Sequence, residues 1–184
     1  CLIDVVLGVN YAIILNTNSG LWGYNIGDTV QFVSKDPYRI IVSGRIKHFI
    51  SAFGEHVIAK EVEEALKLAV DGTDALVNEF TVAPQTNPEN GELPYHEWFI
   101  EFERMPSNMP QFSKIIEESM KKQNSYYYDL IAGNILRPLK ITQIKPGGFQ
   151  DYMKSMGKLG GQNKVQRLSN DRKVADGLHP FKIS

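Results

Sequence analysis

Residues 34–66 constrain this chain more than any other stretch, because two apolar periods meet there. They open with strand-like runs, Tyr38, Ile40 and Val42, then Phe49, Ile50, Ala52 and Phe53. The runs pause at Gly44-Arg45 and again at Gly54, and the period then changes. Ile58, Val62, Ala65, Leu66 and Ala69 fall at i, i+4, i+7, i+8 and i+11, one stripe at the helical repeat. Lys60, Glu61, Glu63, Glu64 and Lys67 lie off the stripe. A strand, a glycine break, a basic-aromatic patch (Arg45, Lys47, His48, Phe49), a second glycine and an acidic helix therefore follow one another. Glycine ahead of a charged pair suits backbone that bends or that a ligand approaches closely. The plain alternative is a βα unit with solvated charges.

The 184 residues have room for one ordinary domain, or one domain and a piece of another. A net charge of -1 offers no electrostatic reason to expect a nucleic-acid or membrane partner. The single cysteine, Cys1, can make no internal disulfide, which agrees with a reducing, cytoplasmic compartment. No apolar run is long enough for a membrane span, and no signal sequence opens the chain. The start at Cys1, directly in strand-like sequence, leads us to expect a fragment of a longer protein.

Residues 1–32 read as β-structure. Val9, Tyr11, Ile13, Ile14 and Leu15 form a buried-type run, residues 16–20 carry turn chemistry, and three glycines exclude a long helix. Asp36-Pro37 marks a turn before a strand over 38–43. After the helix over 58–70, a strand over 75–82 and a polar loop around Asn90-Gly91 lead into a returning strand. There His96, Trp98, Ile100 and Phe102 alternate with Glu97, Phe99, Glu101 and Glu103, which predicts one wet face. Phe112, Ile115, Ile116 and Met120 predict a second amphipathic helix, capped at Ser107 or Asn108. A short helix over 124–134, a strand over 139–144 and a helix to about 156 complete the pattern. The order β, βα, ββ, α, α, β, α predicts a compact α+β domain with a β-rich N-terminal extension.

Most chemical motifs are absent. His48, His56, His96 and His179 are scattered, and one cysteine excludes the usual thiolate metal sites. Ile100 breaks the zinc-protease pattern begun by His96-Glu97. No G-x-S-x-G occurs, and residues 157–161 lack the spacing of a phosphate loop. The basic tail remains, with Lys158, Lys164, Arg167, Arg172 and Lys173 among Gly157, Gly160, Gly161 and Gly177. A glycine-rich segment carrying lysines can deliver a cation to a phosphate or carboxylate; otherwise it is a solvated tail. Single-stranded nucleic acid fits poorly, because Tyr126, Tyr127 and Tyr128 lie away from the lysines. Asp28, just after Gly27, could accept hydrogen bonds from vicinal hydroxyls, although Gly-Asp is also a turn signal.

Three segments, YNIGDTV from Tyr24, VSGRIKHFISAFGEHVIAKEVEEAL from Val42 and GKLGGQNKVQRLSNDR from Gly157, resemble the C-terminal part of the auxin-responsive (Gretchen Hagen) acyl acid–amido synthetases in their bacterial form. That family belongs to the adenylate-forming superfamily. The resemblance implies a small α+β lid domain over 44–184, preceded over 1–43 by a β-rich end of the large domain. It implies ATP and magnesium, small carboxylic acid and amino acid substrates, and a rotation of the lid between two half-reactions. By resemblance, Asp28 binds the ribose hydroxyls, Tyr24 lies near the nucleotide, and Arg45 lies near ribose or phosphate. Lys47 falls at the hinge position. Lys164 matches the lysine that enters the site during adenylation, with Lys158 its rival. Asn25 and Gln166 stand where the family pattern usually has Arg and Pro. The phosphate loop and acid pocket would lie on the missing N-terminal domain, so the chain alone is expected to be inactive. The other function open at this point is a stand-alone α+β module whose basic tail contacts an acidic partner.

Overall fold

The computed structural model describes residues 2–45, 49–158 and 164–183. They form two compact units, Cys1–His48 and Phe49–Ser184.

The first unit is an antiparallel meander of β1 (Asn10–Leu15), β2 (Tyr24–Lys35) and β3 (Tyr38–Arg45). The turn after β1 closes when Gly23 N–H donates to Asn16 Oδ1 at 2.7 Å. Tyr11, Phe32 and Tyr38 meet edge-on across one face, their ring centres 5.7 and 6.1 Å apart. The run through β1 is not buried as its composition suggests. Among the described residues of this unit only Val5 and Val30 are buried apolar residues, while Val9 and Ile14 are exposed. Gly44 pairs with Thr29 inside β3 and its backbone is not left-handed.

The second unit begins with a two-residue pair, β4 (Phe49–Ile50) and β5 (Val57–Ile58), which leads into α1 (Ala59–Asp71). Gly54, at φ +93, supplies the left-handed turn between them. The stripe read from the sequence is the buried face, since Val62, Ala65, Leu66 and Ala69 all lie in the core. Then come β6 (Leu76–Gln85), β7 (Tyr95–Arg104), α2 (Met109–Gln123), α3 (Ser125–Ala132), β8 (Lys140–Ile144), α4 (Gly148–Ser155) and α5 (Lys173–Leu178). Asn108 caps α2 by accepting from Gln111 N–H at 3.0 Å, and Asn124 caps α3 by accepting from Tyr127 N–H at 2.9 Å.

β7 lies centrally, antiparallel to β6 and parallel to β8. On one face Phe80, Val82, Trp98, Ile100 and Phe102 pack against α1 and α2 with Phe112, Ile116 and Met120. The opposite face is not wet, contrary to the alternation. Phe99, Ala83 and Ile144 pack there against Phe149, Tyr152, Ala175 and Leu178. Glu97 and Glu101 are buried on that face, with partners. Glu101 accepts from the N–H groups of Gly147 and Phe149 at the start of α4, where a carboxylate also suits the helix dipole. The sheet is buried on both sides, as layered α/β arrangements require. No helix among the described residues is long and apolar enough to cross a membrane.

The C-terminal segment is not a loose tail. Val82 N–H donates to Arg167 O at 2.9 Å and Ser169 N–H to Val82 O at 3.1 Å, so residues 167–169 line the β6 edge. α5 then crosses beneath the sheet. Lys145 N–H donates to Phe181 O and Ile183 N–H to Gln143 O, lining the β8 edge. Both edges that would otherwise offer unpaired backbone are covered by one strap.

Candidate functional site

In the first unit the candidate residues gather on β2 and the end of β3. Ala12 pairs with Thr29 and Ile14 with Asn25, so Ile26, Gly27 and Asp28 of β2 all lie opposite Ile13. Gly27 takes φ +82 within this bulge, and its N–H donates to Asn25 Oδ1 at 2.9 Å. Asn25, where the family pattern has Arg, thus has a local job in closing the bulge. On its other side Asp28 pairs with Arg45 and Thr29 with Gly44, but Val30 pairs with Val42, leaving Ser43 as an extra residue. Ser43 Oγ donates to Thr29 Oγ1 at 3.1 Å across it. Asp28 therefore sits between two breaks in the ladder, which re-aim side chains. It is half-buried, Tyr24 is exposed at the start of the same strand, and Arg45 is its cross-strand neighbour. Lys47 lies outside the described residues.

In the second unit Lys158 and Lys164 are both exposed. Lys158 follows α4, its N–H donating to Met153 O at 3.0 Å. Lys164 precedes the strap. Val165, next to it, is buried in the second core, while Lys164 itself is exposed. Gln166 O accepts from Thr81 Oγ1 at 2.7 Å. The strap also meets the first hairpin of the unit, where Ser51 N–H donates to Asn170 Oδ1 at 3.0 Å.

Among the buried polar groupings that hold this scaffold, sequence reasoning missed two centred on Glu55 and Glu97. Glu55 is fully buried in the β4–β5 turn, its Oε1 2.9 Å from His96 Nε2 on β7, and its Oε2 accepts from Phe53 N–H. Asn124 Nδ2 donates to Glu55 O at 2.9 Å. Burial pushes the Glu55 carboxyl up, but the hydrogen bond and charge of His96 outweigh it and hold the group below its ordinary value. The second grouping lies beneath the other face. Glu97 accepts from Thr142 Oγ1 at 2.6 Å and from Arg172 Nη2 at 2.8 Å, with Lys182 Nζ 3.8 Å away. Burial raises the Glu97 carboxyl, yet those hydrogen bonds and cations keep it below the usual carboxylate range. Both groupings join residues dozens of positions apart, so no local pattern marks them. Beside Glu97 a cleft of about 320 Å³ is lined by Tyr95, Lys140, His179 and Lys182 among others. Among the described residues no three His, Cys, Asp or Glu side chains converge as metal ligands.

Residues 1–45 match the GH3 family central domain, and residues 58–173 match the GH3 family C-terminal domain. The probable indole-3-acetic acid-amido synthetase GH3.1 of Arabidopsis thaliana is 28% identical over 198 positions, covering 100% of this chain and 33% of the relative. The indole-3-acetic acid-amido synthetase GH3.3 of the same plant is 28% identical over 178 positions, covering 90% and 30%. The chain thus spans about a third of the length of these curated relatives. Among solved structures, the GH3.15 acyl acid amido synthetase superposes with a TM-score of 0.75 at 21% identity, over 100% of this chain and 36% of that one. The same enzyme in complex with 2,4-DB gives a TM-score of 0.72. That likeness establishes a shared α+β fold. The C-terminal domain match alone takes in well over half of the residues, and this chain belongs to the GH3 family.

Proposed function

We propose that this chain is the central-to-C-terminal part of an ATP-dependent acyl acid–amido synthetase. The observation that carries the reading is the pair of consecutive domain matches, central then C-terminal, in a chain whose relatives are named amido synthetases. The reaction has two steps. A small carboxylate displaces pyrophosphate from ATP to give an acyl-adenylate. An amino acid amine then attacks the acyl carbon, giving an amide and AMP and releasing a proton.

The roles of the residues follow from their chemistry. Asp28, an acceptor held between two bulges, suits the vicinal hydroxyls of a ribose. Arg45, its cross-strand neighbour, suits a phosphate or the same sugar, and Tyr24 would flank the nucleotide. Lys164 suits charge developing between the carboxylate and the α-phosphate, with Lys158 as the competing donor; Lys47 would act at the hinge. Magnesium commonly keeps its waters and binds substrate phosphates through one or two carboxylates. The rest of the nucleotide and acid sites would come from sequence corresponding to the part of the relatives this chain does not span. We place the enzyme in the cytoplasm.

ATP–pyrophosphate exchange tests the reading. A polypeptide extended to the relatives' length should exchange with some small carboxylic acid, and the present chain alone should not. Lys164→Ala should cut exchange by about 100-fold, the scale on which one preorganised donor acts. Amide formation from supplied acyl-adenylate should survive. Equal loss in both half-reactions would assign Lys164 a structural role, and turnover by the isolated chain would overturn the division of labour.

A further inference from the structure

We infer that Arg167 is the positioning residue for the Lys164 ammonium, an inference that rests on the adenylation role proposed above for Lys164. Lys164 is exposed and Val165 buried, and the residues that follow are held at β6, where Thr81 Oγ1 donates to Gln166 O and Val82 bridges Leu168. A slip of one residue would turn Lys164 toward the second core and Val165 toward solvent. Backbone bonds alone hold that register weakly, because the strap makes a single bridge, Val82 to Leu168, with this edge.

Arg167 adds the missing specification. Its guanidinium pairs with Glu79 and donates to Phe80 O at 3.3 Å, both on β6. It also lies 3.7 Å from Glu63 on α1 and 4.7 Å above the centre of the Phe80 ring. One planar fork therefore spans a strand, a helix and an aromatic face. A lysine could reach one of these partners but not all of them. Together with Leu168, fully buried in the first core, and Val165 in the second, Arg167 fixes the turn of the strap around the sheet edge. The Lys164 side chain leaves from that fixed turn.

The test compares Arg167→Met with Lys164→Ala. In the present chain, Arg167→Met should keep a cooperative melt but lower amide-exchange protection at Val82 and Ser169 by at least about tenfold, with Arg167→Lys in between. Unchanged protection would overturn the inference. In the polypeptide extended to the relatives' length, Arg167→Met should lower ATP–pyrophosphate exchange about as much as Lys164→Ala and spare amide formation from supplied acyl-adenylate. The double variant should be no slower than Lys164→Ala alone. Equal loss of both half-reactions, or additive losses in the double variant, would overturn the positioning role and leave the Lys164 reading intact. If Lys164→Ala leaves exchange unchanged, the reading of Lys164 fails and this inference fails with it. Should Arg167→Met not fold, Glu79→Gln releases the same anchor and is read in the same way.

Discussion

Both units of this chain contain three-stranded sheets rich in β-branched and aromatic residues, yet only the second closes a core. In the first unit Val42 is 73% exposed and Trp22 83%, and Ile14, Ile40 and Ile41 also face outward. In the second, helices cover both faces of the sheet, and Trp98 and Phe99, neighbours on one strand, are buried on opposite sides. Strand composition is similar in the two; the difference is whether something amphipathic follows to cover the sheet. A meander without such a cover keeps too little apolar area from water to offset its chain entropy.

The sharpest way to break that contrast is to separate the units. Residues 49–184 alone should melt in one cooperative transition and ignore a hydrophobic dye. Residues 2–45 alone should show no cooperative melt and should bind the dye; a cooperative melt would show that the small sheet is self-sufficient. Next in size are single core substitutions followed by urea unfolding. Trp98→Ala removes a ring stacked on Phe80, 6.1 Å between centres, and should cost about 3–5 kcal/mol. Val42→Thr, on the exposed sheet, should cost less than about 0.5 kcal/mol.

A third substitution sharpens the picture beneath the sheet. Arg172→Met leaves buried Glu97 without its bidentate-capable partner and should cost about 3 kcal/mol. The Glu97 carboxyl has a lowered folded pKa. Its stabilising contribution is therefore present above the unfolded carboxylate pKa and is lost as pH falls through the folded one. Glu97→Gln should accordingly flatten the acid limb of the melting profile below the usual carboxylate range. A profile unchanged in that limb would remove Glu97 from the account.

What the sequence made legible was periodic. The α1 stripe is also its buried face, because a helix of that period has only one way to meet a sheet. The alternation in β7 correctly marked a strand but misread its glutamates. Side-chain type reports affinity for water, and Glu97 and Glu101 meet that need with Arg172, Thr142 and two backbone N–H groups supplied from far along the chain. The strap was obscured for a related reason. Val165, Leu168, Ala175 and Leu178 follow no single period, since the segment turns around an edge between two cores. Gly27-Asp28 read as a turn, whereas the pairing partners on both sides make it a bulge within a strand. Tyr24, Asp28 and Arg45 were brought together only by the family resemblance, and their mutual register depends on extra residues that the paired strands reveal.

The strap that lines both sheet edges has a consequence for biosynthesis. Residues 167–169 and 181–183 are made after every strand they cover, so a nascent chain emerging from the ribosome must hold the sheet with two naked borders until they arrive. A truncation within the strap would make that interval permanent, and its products should pair with one another through those borders instead of remaining dispersed.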